Sequence, residues 1–336
     1  MSNACPVDVD YTRGLGGSQI AAAVGLNPYC PPIQLWCELV GEAEGFEGNR
    51  FTKWGKLLEE PIRQEYAERH GVVVEVPEPI VDGWKRARPD GLVYEYDLRE
   101  QLLSGRQCLN PRPDRGLEVK TGDKYTTDRW GEPETDEIPI EYLCQDTWYM
   151  HVTDLPRWDT AVLLGGNDYR EYILERDRDF ERSLVARASH FWHHHVLKRI
   201  PPEPDGSDEY RDWIGRRYPH VTDDYVEADE VADQMAVQLR DVVREIKSLE
   251  RVESKLWNEL LSRIGDASGM VTSVGKITYR PVKGKAKTDW EAIARELADR
   301  LGLSTRERLQ LTADNTARGK GYRARRRPNA WTKEID

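Results

Sequence analysis

"GLEVK", residues 116–120, reads as a short strand that carries a carboxylate and an ammonium two positions apart with an apolar residue between them. In a strand, positions i and i+2 share a face, whereas in a helix they point to nearly opposite sides. Glu118 and Lys120 can therefore converge on one site. A second acidic-x-Lys triplet, Glu245-Ile246-Lys247, falls in a segment with helical periodicity and cannot. One such triplet is weak evidence alone, so its neighbours carry the reading.

Upstream, "GLGGSQIAAAVGLNPY" (14–29) predicts a glycine-rich turn, Ser18 as an N-cap, a short helix and Gly25 as its stop. "PPIQLWCELVG" predicts a second helix ending at Gly41. From 53 to 70, Trp54, Leu58, Ile62 and Tyr66 recur every four residues, which predicts a helix with one apolar stripe on a core, Pro61 kinking or restarting it, and His70-Gly71 closing it. Strands are expected at "VVVEV" (72–76), "GLVYEY" (91–96) and GLEVK itself, with a loop-like insert at 98–115. "EIPIEYLCQDTWYMHV" (137–152) then reads as a helix, and "WDTAVLLGG" and "DYREYILER" as two strands joined by a Gly-Gly-Asn turn. This alternation predicts an α/β fold around a mixed central sheet flanked by helices.

Residues 183–207 read as a helix running into a proline-rich linker, so a boundary is expected near 201–207, between a domain over 1–200 and a C-terminal extension over 208–336. His190, His193, His194 and His195 share helical spacing, but no Glu completes an HExxH pattern, and an exposed polar face explains them. The extension should hold a long amphipathic helix over 228–264, a hairpin and helix over 269–301, and a basic tail at 317–327. The long helix points to packing or oligomerisation rather than chemistry.

The net charge of −11 excludes a protein that simply coats nucleic acid, so any DNA contact must be local. The tail "ARGKGYRARRR" is the one strongly basic stretch. Five scattered cysteines suit a reducing compartment better than a disulfide framework and form no CxxC pair. No apolar run is long enough to span a bilayer, and the start "MSNACPVDVD" lacks the features of a signal peptide. The expected location is the cytoplasm, that of the host cell if the chain is phage-encoded.

Asp90, just before the strand at Gly91, can meet Glu118 and Lys120 at adjoining strand ends. Two carboxylates there suit a hard divalent cation. Lys120 can orient or deprotonate a water that attacks a phosphodiester, or offset charge developing in the transition state.

Pro89-Asp90 followed by Glu118-Val119-Lys120 resembles the PD-(D/E)xK nuclease motif. More narrowly, Arg13 with "GLGGSQI", "GKLLEEPI" (55–62), "RPDG", "LEVK" and "IEYLCQDTWYM" come in the order of the lambda-exonuclease-like YqaJ viral recombinase family of phage alkaline exonucleases. The resemblance covers roughly residues 12–180. It implies a restriction-endonuclease-like core in which Asp90, Glu118, the Val119 carbonyl and Glu59 bind Mg²⁺ (or Mn²⁺), two ions per site. Glu60 could exchange with Glu59 by a one-residue shift. It further implies that Lys120 assists the water, that Gln145 with Tyr142 and Tyr149 faces the active site, and that Arg13, Ser18 and Tyr142 contact substrate phosphate. Ser18 admits a plain capping role as well, and Tyr142 and Tyr149 a plain core role.

The function expected from this resemblance is a 5′→3′ exonuclease on double-stranded DNA ends, serving phage homologous recombination beside a single-strand annealing protein, with a homo-oligomeric ring as the assembly. A site- or structure-specific endonuclease on the same core is the alternative enzyme. A DNA-end binding or assembly protein with a relic nuclease core is the non-enzyme alternative, and a structural phage component built on the 228–264 helix a third.

Overall fold

The GLEVK strand lies at the centre of a five-stranded sheet, and the computed structural model describes residues 14–43, 48–95, 112–220, 222–281 and 290–315. Two compact units divide at 219/220. In the first, the order is β1 (Leu15–Gly16), α1 (Gly17–Ala23), α2 (Pro32–Val40), α3 (Arg50–His70), β2 (Val73–Glu75), β3 (Ile80–Asp82), β4 (Lys85–Ala87), β5 (Gly91–Tyr94) and β6 (Arg115–Gly122). There follow a 3-10 turn (Lys124–Arg129), α4 (Ile140–Thr153), β7 (Arg157–Leu164), β8 (Asp168–Glu175), α5 (Arg178–His190), a turn of π-helix (Phe191–Val196) and α6 (Asp208–Arg217).

The main sheet runs β2-β5-β6-β7-β8. Only β6 and β7 pair in parallel, as the crossover through α4 requires, and the other neighbours are antiparallel. The sheet is mixed and lies between helices, so the α/β class expected from the sequence holds. The GLEVK segment is central and buried on both faces. Leu117 and Val119 point to a cluster with Ile62 and Tyr66 of α3, while Trp158 and Val162 of β7 point to the larger core on the other face. A small second sheet, β1-β4-β3, was not expected from the sequence, because its strands are only two or three residues long.

α3 is one unbroken helix through Pro61, neither restarted nor broken. Pro61 faces solvent, where water can satisfy the carbonyl that proline cannot. The expected core stripe is only half realised. Ile62 and Tyr66 are buried, but Trp54 is 61% exposed together with Phe51 and Leu57. The C-terminal half is locked down by Tyr66, whose hydroxyl donates to Asp159 at 2.6 Å, while Arg115 donates to both. Arg157 donates two further hydrogen bonds to Asp159. A buried carboxylate so fully bonded fixes α3, β6 and β7 together.

α1 begins one residue before the predicted cap. Gly16, not Ser18, occupies the N-cap position, and Ser18 is the second helical residue, exposed. Close packing explains the shift: a Cβ at Gly17 would lie 2.3 Å from the Tyr149 ring, so the glycines let α1 press directly on α4. α6, C-terminal to the proline-rich segment, belongs with the first unit because Trp213 donates to Glu42 at 3.0 Å and meets Trp36 edge-on. Of the four histidines, His190 and His193 are exposed, but His195 is buried and its Nδ1 lies 3.1 Å from the Ile200 carbonyl.

The second unit contains α7 (Glu230–Ile264), capped by Asp229 accepting from the Ala232 amide, an antiparallel hairpin of β9 (Gly269–Thr272) and β10 (Gly275–Thr278), α8 (Trp290–Arg300) and α9 (Thr305–Asp314). These elements span 230–264, 269–278 and 290–314. Arg13 and the basic tail lie outside the described residues.

Candidate active site

Three backbone features bring distant residues to one place. Gly91 pairs with Leu117, Leu92 with Gly116 and Val93 with Arg115, so the antiparallel ladder carried one step further sets Asp90 opposite Glu118. The ladder stops there, and the Asp90 carboxylate takes its place by accepting the Val119 amide at 2.9 Å. Because N–H and C=O of one strand residue point to the same side, the Val119 carbonyl opens on that side too, past the end of β5. Arg63 of α3 donates to the Asp90 carbonyl at 2.9 Å and holds this corner from the other face of the sheet.

Glu118 is 3% exposed. Its Oε1 accepts from the Lys120 ammonium and from the Gln145 amide, and Lys120 also donates to the Gln145 carbonyl oxygen at 3.2 Å. The three side chains form a closed ring of hydrogen bonds between β6 and α4. Lys120 lies 4.9 Å over the Tyr142 ring, a cation–π contact. Gln145 donates further to the Tyr149 hydroxyl at 3.3 Å. Tyr149 is buried against Trp158, so it belongs to the core and to this ring at once. Tyr142, half-buried, stacks on Trp130 and presents its face to Lys120.

Burial raises the Glu118 carboxyl well above the usual range; Lys120 opposes the rise, and Asp90 and Asp146 add to it. Burial alone would lower the Lys120 ammonium, but Glu118 and Asp90 outweigh it and hold the proton on. Burial, then the nearby charge of Asp90, raises Glu59, with Lys120 among the charges that oppose. Glu59 therefore belongs to the same electrostatic cluster. Glu60 does not: it is exposed and bonded to Arg63 and Gln64, which lower its carboxyl. Of the two neighbours, Glu59 is the one whose carboxyl is raised by the charge of Asp90.

Among the described residues, no three His, Cys, Asp or Glu side chains are drawn together into a ready-made metal cage. The reason lies in the ring just described. Lys120 and Gln145 take Glu118 Oε1, and the Val119 amide takes one oxygen of Asp90. Glu118 Oε2, however, is buried with no hydrogen-bond partner. A buried carboxylate oxygen without a donor is costly unless something cationic meets it. With Asp90 alongside and the Val119 carbonyl opening the same way, the donor set is all oxygen, the chemistry a hard divalent ion takes.

Two contributors escaped the sequence reading. Asp146 is fully buried, accepts from Thr160 at 2.6 Å and leaves Oδ1 without a partner. Burial pushes its carboxyl up to about 7; Thr160 and Lys120 oppose, while Asp90 and Asp159 add. Thr160 pairs with Glu118 in the parallel ladder, which puts Asp146 beside the ring. Nothing in "LCQDTW" marks Asp146 as inward-facing, since Gln145 and Asp146 both turn to the sheet only once α4 is docked. Arg63 is the second, with no motif to flag it.

Residues 11–156 match the pattern of the YqaJ-like viral recombinase domain. That span contains Glu59, Asp90, Glu118, Lys120 and Gln145. Over that span the chain is similar to the YqaJ-like viral recombinase domain. It is 25% identical over 280 residues to the uncharacterized protein YqaJ of Bacillus subtilis strain 168, covering 82% of each chain. Among solved structures it is similar to the alkaline exonuclease LHK-Exo of Laribacter hongkongensis, at 18% identity and a TM-score of 0.43, over 61% of this chain and 93% of that one. It is also similar to a phage related exonuclease from Haemophilus somnus 129PT, at 14% identity and a TM-score of 0.38, over 61% of this chain and 96% of that one. The YqaJ-like match ends just before β7, so the sheet continues beyond it.

Proposed function

We propose that the protein is a metal-dependent DNA nuclease whose active site is the junction of β5, β6, α3 and α4. The observation that carries this reading is the convergence of Asp90, Glu118 and Lys120 at adjoining strand ends, with one buried Glu118 oxygen lacking a donor. Asp90, Glu118 and the Val119 carbonyl would hold Mg²⁺, with Glu59 close by for a second ion. Held there, such ions would supply Lewis acidity to the scissile phosphate and its attacking water. Lys120 keeps its proton beside Glu118 and Asp90, so its part is to place a positive charge where the phosphate builds negative charge. Gln145 holds Glu118 and Lys120 in register, and Tyr142 braces Lys120 from below.

The finer reading is a 5′→3′ exonuclease on double-stranded DNA ends acting in phage recombination, with Arg13 and Ser18 gripping the 5′-terminal phosphate. It is supported by the match to the YqaJ-like domain and by the exposed Ser18 at the first turn of α1. The test is digestion of a linear duplex against a closed circle in Mg²⁺, with 5′-phosphate and 5′-hydroxyl ends compared. Loss of the linear duplex, an intact circle and dependence on the 5′-phosphate are expected. Rapid nicking of the circle would replace this reading with the endonuclease. Full activity in Glu118→Ala would remove the site altogether.

A further inference from the structure

We propose that the apolar face of α7 is a docking surface for an amphipathic helix of a different protein, one whose apolar stripe is flanked by basic residues. α7 is a single helix of 35 residues, about 52 Å long at 1.5 Å per residue. Met235, Leu239, Val242, Ile246, Leu249 and Leu256 alternate in steps of three and four, with one step of seven, which places them on the two seam positions of a heptad repeat. They are 46–62% exposed. An apolar strip sustained at that spacing marks an interaction face rather than scattered surface residues.

The acidic residues along the strip say what covers it. Glu253 occupies the seam at the skipped step, where the heptad calls for an apolar side chain. Glu245 and Glu259 lie on one flank of the seam and Glu250 on the other, and all four are exposed. The basic residues of this stretch, Arg240, Arg244, Lys247, Arg251 and Lys255, all fall on heptad positions away from the flanks.

Flanking charges choose the partner in such pairings. A second copy lying parallel would set Glu253 against Glu253 inside the seam and Glu245 against Glu250 across it. An antiparallel copy would bring like flanks together, again acid toward acid. Buried or close like charges oppose both arrangements. A helix with Lys or Arg on its flanks, and a basic or amide side chain opposite Glu253, meets every one of these groups with its complement.

The test uses the full chain and two synthetic four-heptad peptides with leucine in the seam, one with lysine and one with glutamate on the flanks, read by fluorescence anisotropy. The lysine peptide should bind at least about tenfold more tightly than the glutamate peptide. A triple variant, Glu245→Lys with Glu250→Lys and Glu259→Lys, should reverse that order. The same net charge change made elsewhere, Glu68→Lys with Glu75→Lys and Glu175→Lys, should leave the order as it is. Leu249→Asp should abolish binding of the lysine peptide. Equal binding of the two peptides, binding of neither, or equal effects of the two triple variants would overturn the proposal. So would a fall in the sedimentation mass of the parent on Leu249→Asp, which would assign the face to a second copy. All substituted side chains are exposed, and an unchanged circular dichroism spectrum checks that each variant is folded.

Discussion

Replacing Gln145 with alanine separates a working ring of hydrogen bonds from mere core packing. Gln145 is 6% exposed and makes two charge-assisted bonds, donating to Glu118 and accepting from Lys120 at 3.2 Å, and donates a neutral one to Tyr149 at 3.3 Å. A hydrogen bond to a charged group is worth about 1.5–3 kcal/mol and a long neutral one well under that. The side chain also leaves a small cavity beside a carboxylate that already lacks one donor. The sum is a loss of about 3–6 kcal/mol, or a fall of roughly 10–20 °C in the melting temperature of a domain this size. Lys120 and Glu118 would then pair with each other alone and lose their fixed orientation. A lost outer partner of metal ligands costs about ten- to a hundredfold in activity or metal affinity. The assay is differential scanning calorimetry beside digestion of linear duplex over a Mg²⁺ series. Tyr149→Phe removes only the 3.3 Å contact and should cost about 0.5–1.5 kcal/mol while leaving digestion and the Mg²⁺ requirement close to those of the parent. If Gln145→Ala melts early yet digests DNA at the parental rate with the parental Mg²⁺ requirement, Gln145 is core and the proposed site is misplaced.

Glu59→Gln should lower nuclease activity about ten- to a hundredfold while Glu60→Gln leaves it nearly unchanged, as initial rates would show, because only Glu59 lies in the charge cluster of Asp90 and Lys120. Chelation by EDTA should abolish digestion, and calorimetry should show added Mg²⁺ raising the melting temperature of the parent but not of Glu118→Ala. Gly17→Ala should destabilise the fold by about 1–3 kcal/mol, measured by urea unfolding, since the new methyl would lie 2.3 Å from Tyr149. The Glu181 carboxyl is held down to about 2, first by hydrogen bonds from Arg176 and also by His151. Its folded value lies below the unfolded one, so it contributes stability above about pH 5 that is lost as pH falls toward 2. Glu181→Gln should therefore cost on the order of 2–3 kcal/mol at pH 7, and its gap from the parent should narrow steadily through that window.

The shared face of Glu118 and Lys120 was readable in GLEVK because strand periodicity is local: two side chains two residues apart must share a face whatever surrounds them. The same holds for the four-residue stripe of α3 and the heptads of α7, whose periods are properties of the backbone. The chain's glycines and prolines marked most element ends for the same reason, as at Gly41 and Gly71. Tertiary packing decided the rest. Trp54 keeps the helical period but lines an open cavity beside the ends of β6 and β7 and stays 61% exposed, which pattern alone could not foresee. Ser18 lost its cap to Gly16 because α1 presses on Tyr149, a contact 132 positions away from Gly17 in the chain. Whether Glu59 or Glu60 faces the site depends on the rotation of α3 about its axis, set by Tyr66 bonding to Asp159. Asp146 became part of the site only when α4 docked over Thr160, which no local rule could foresee. Sequence determines what each short segment can present; the docking of segments decides what that presentation meets.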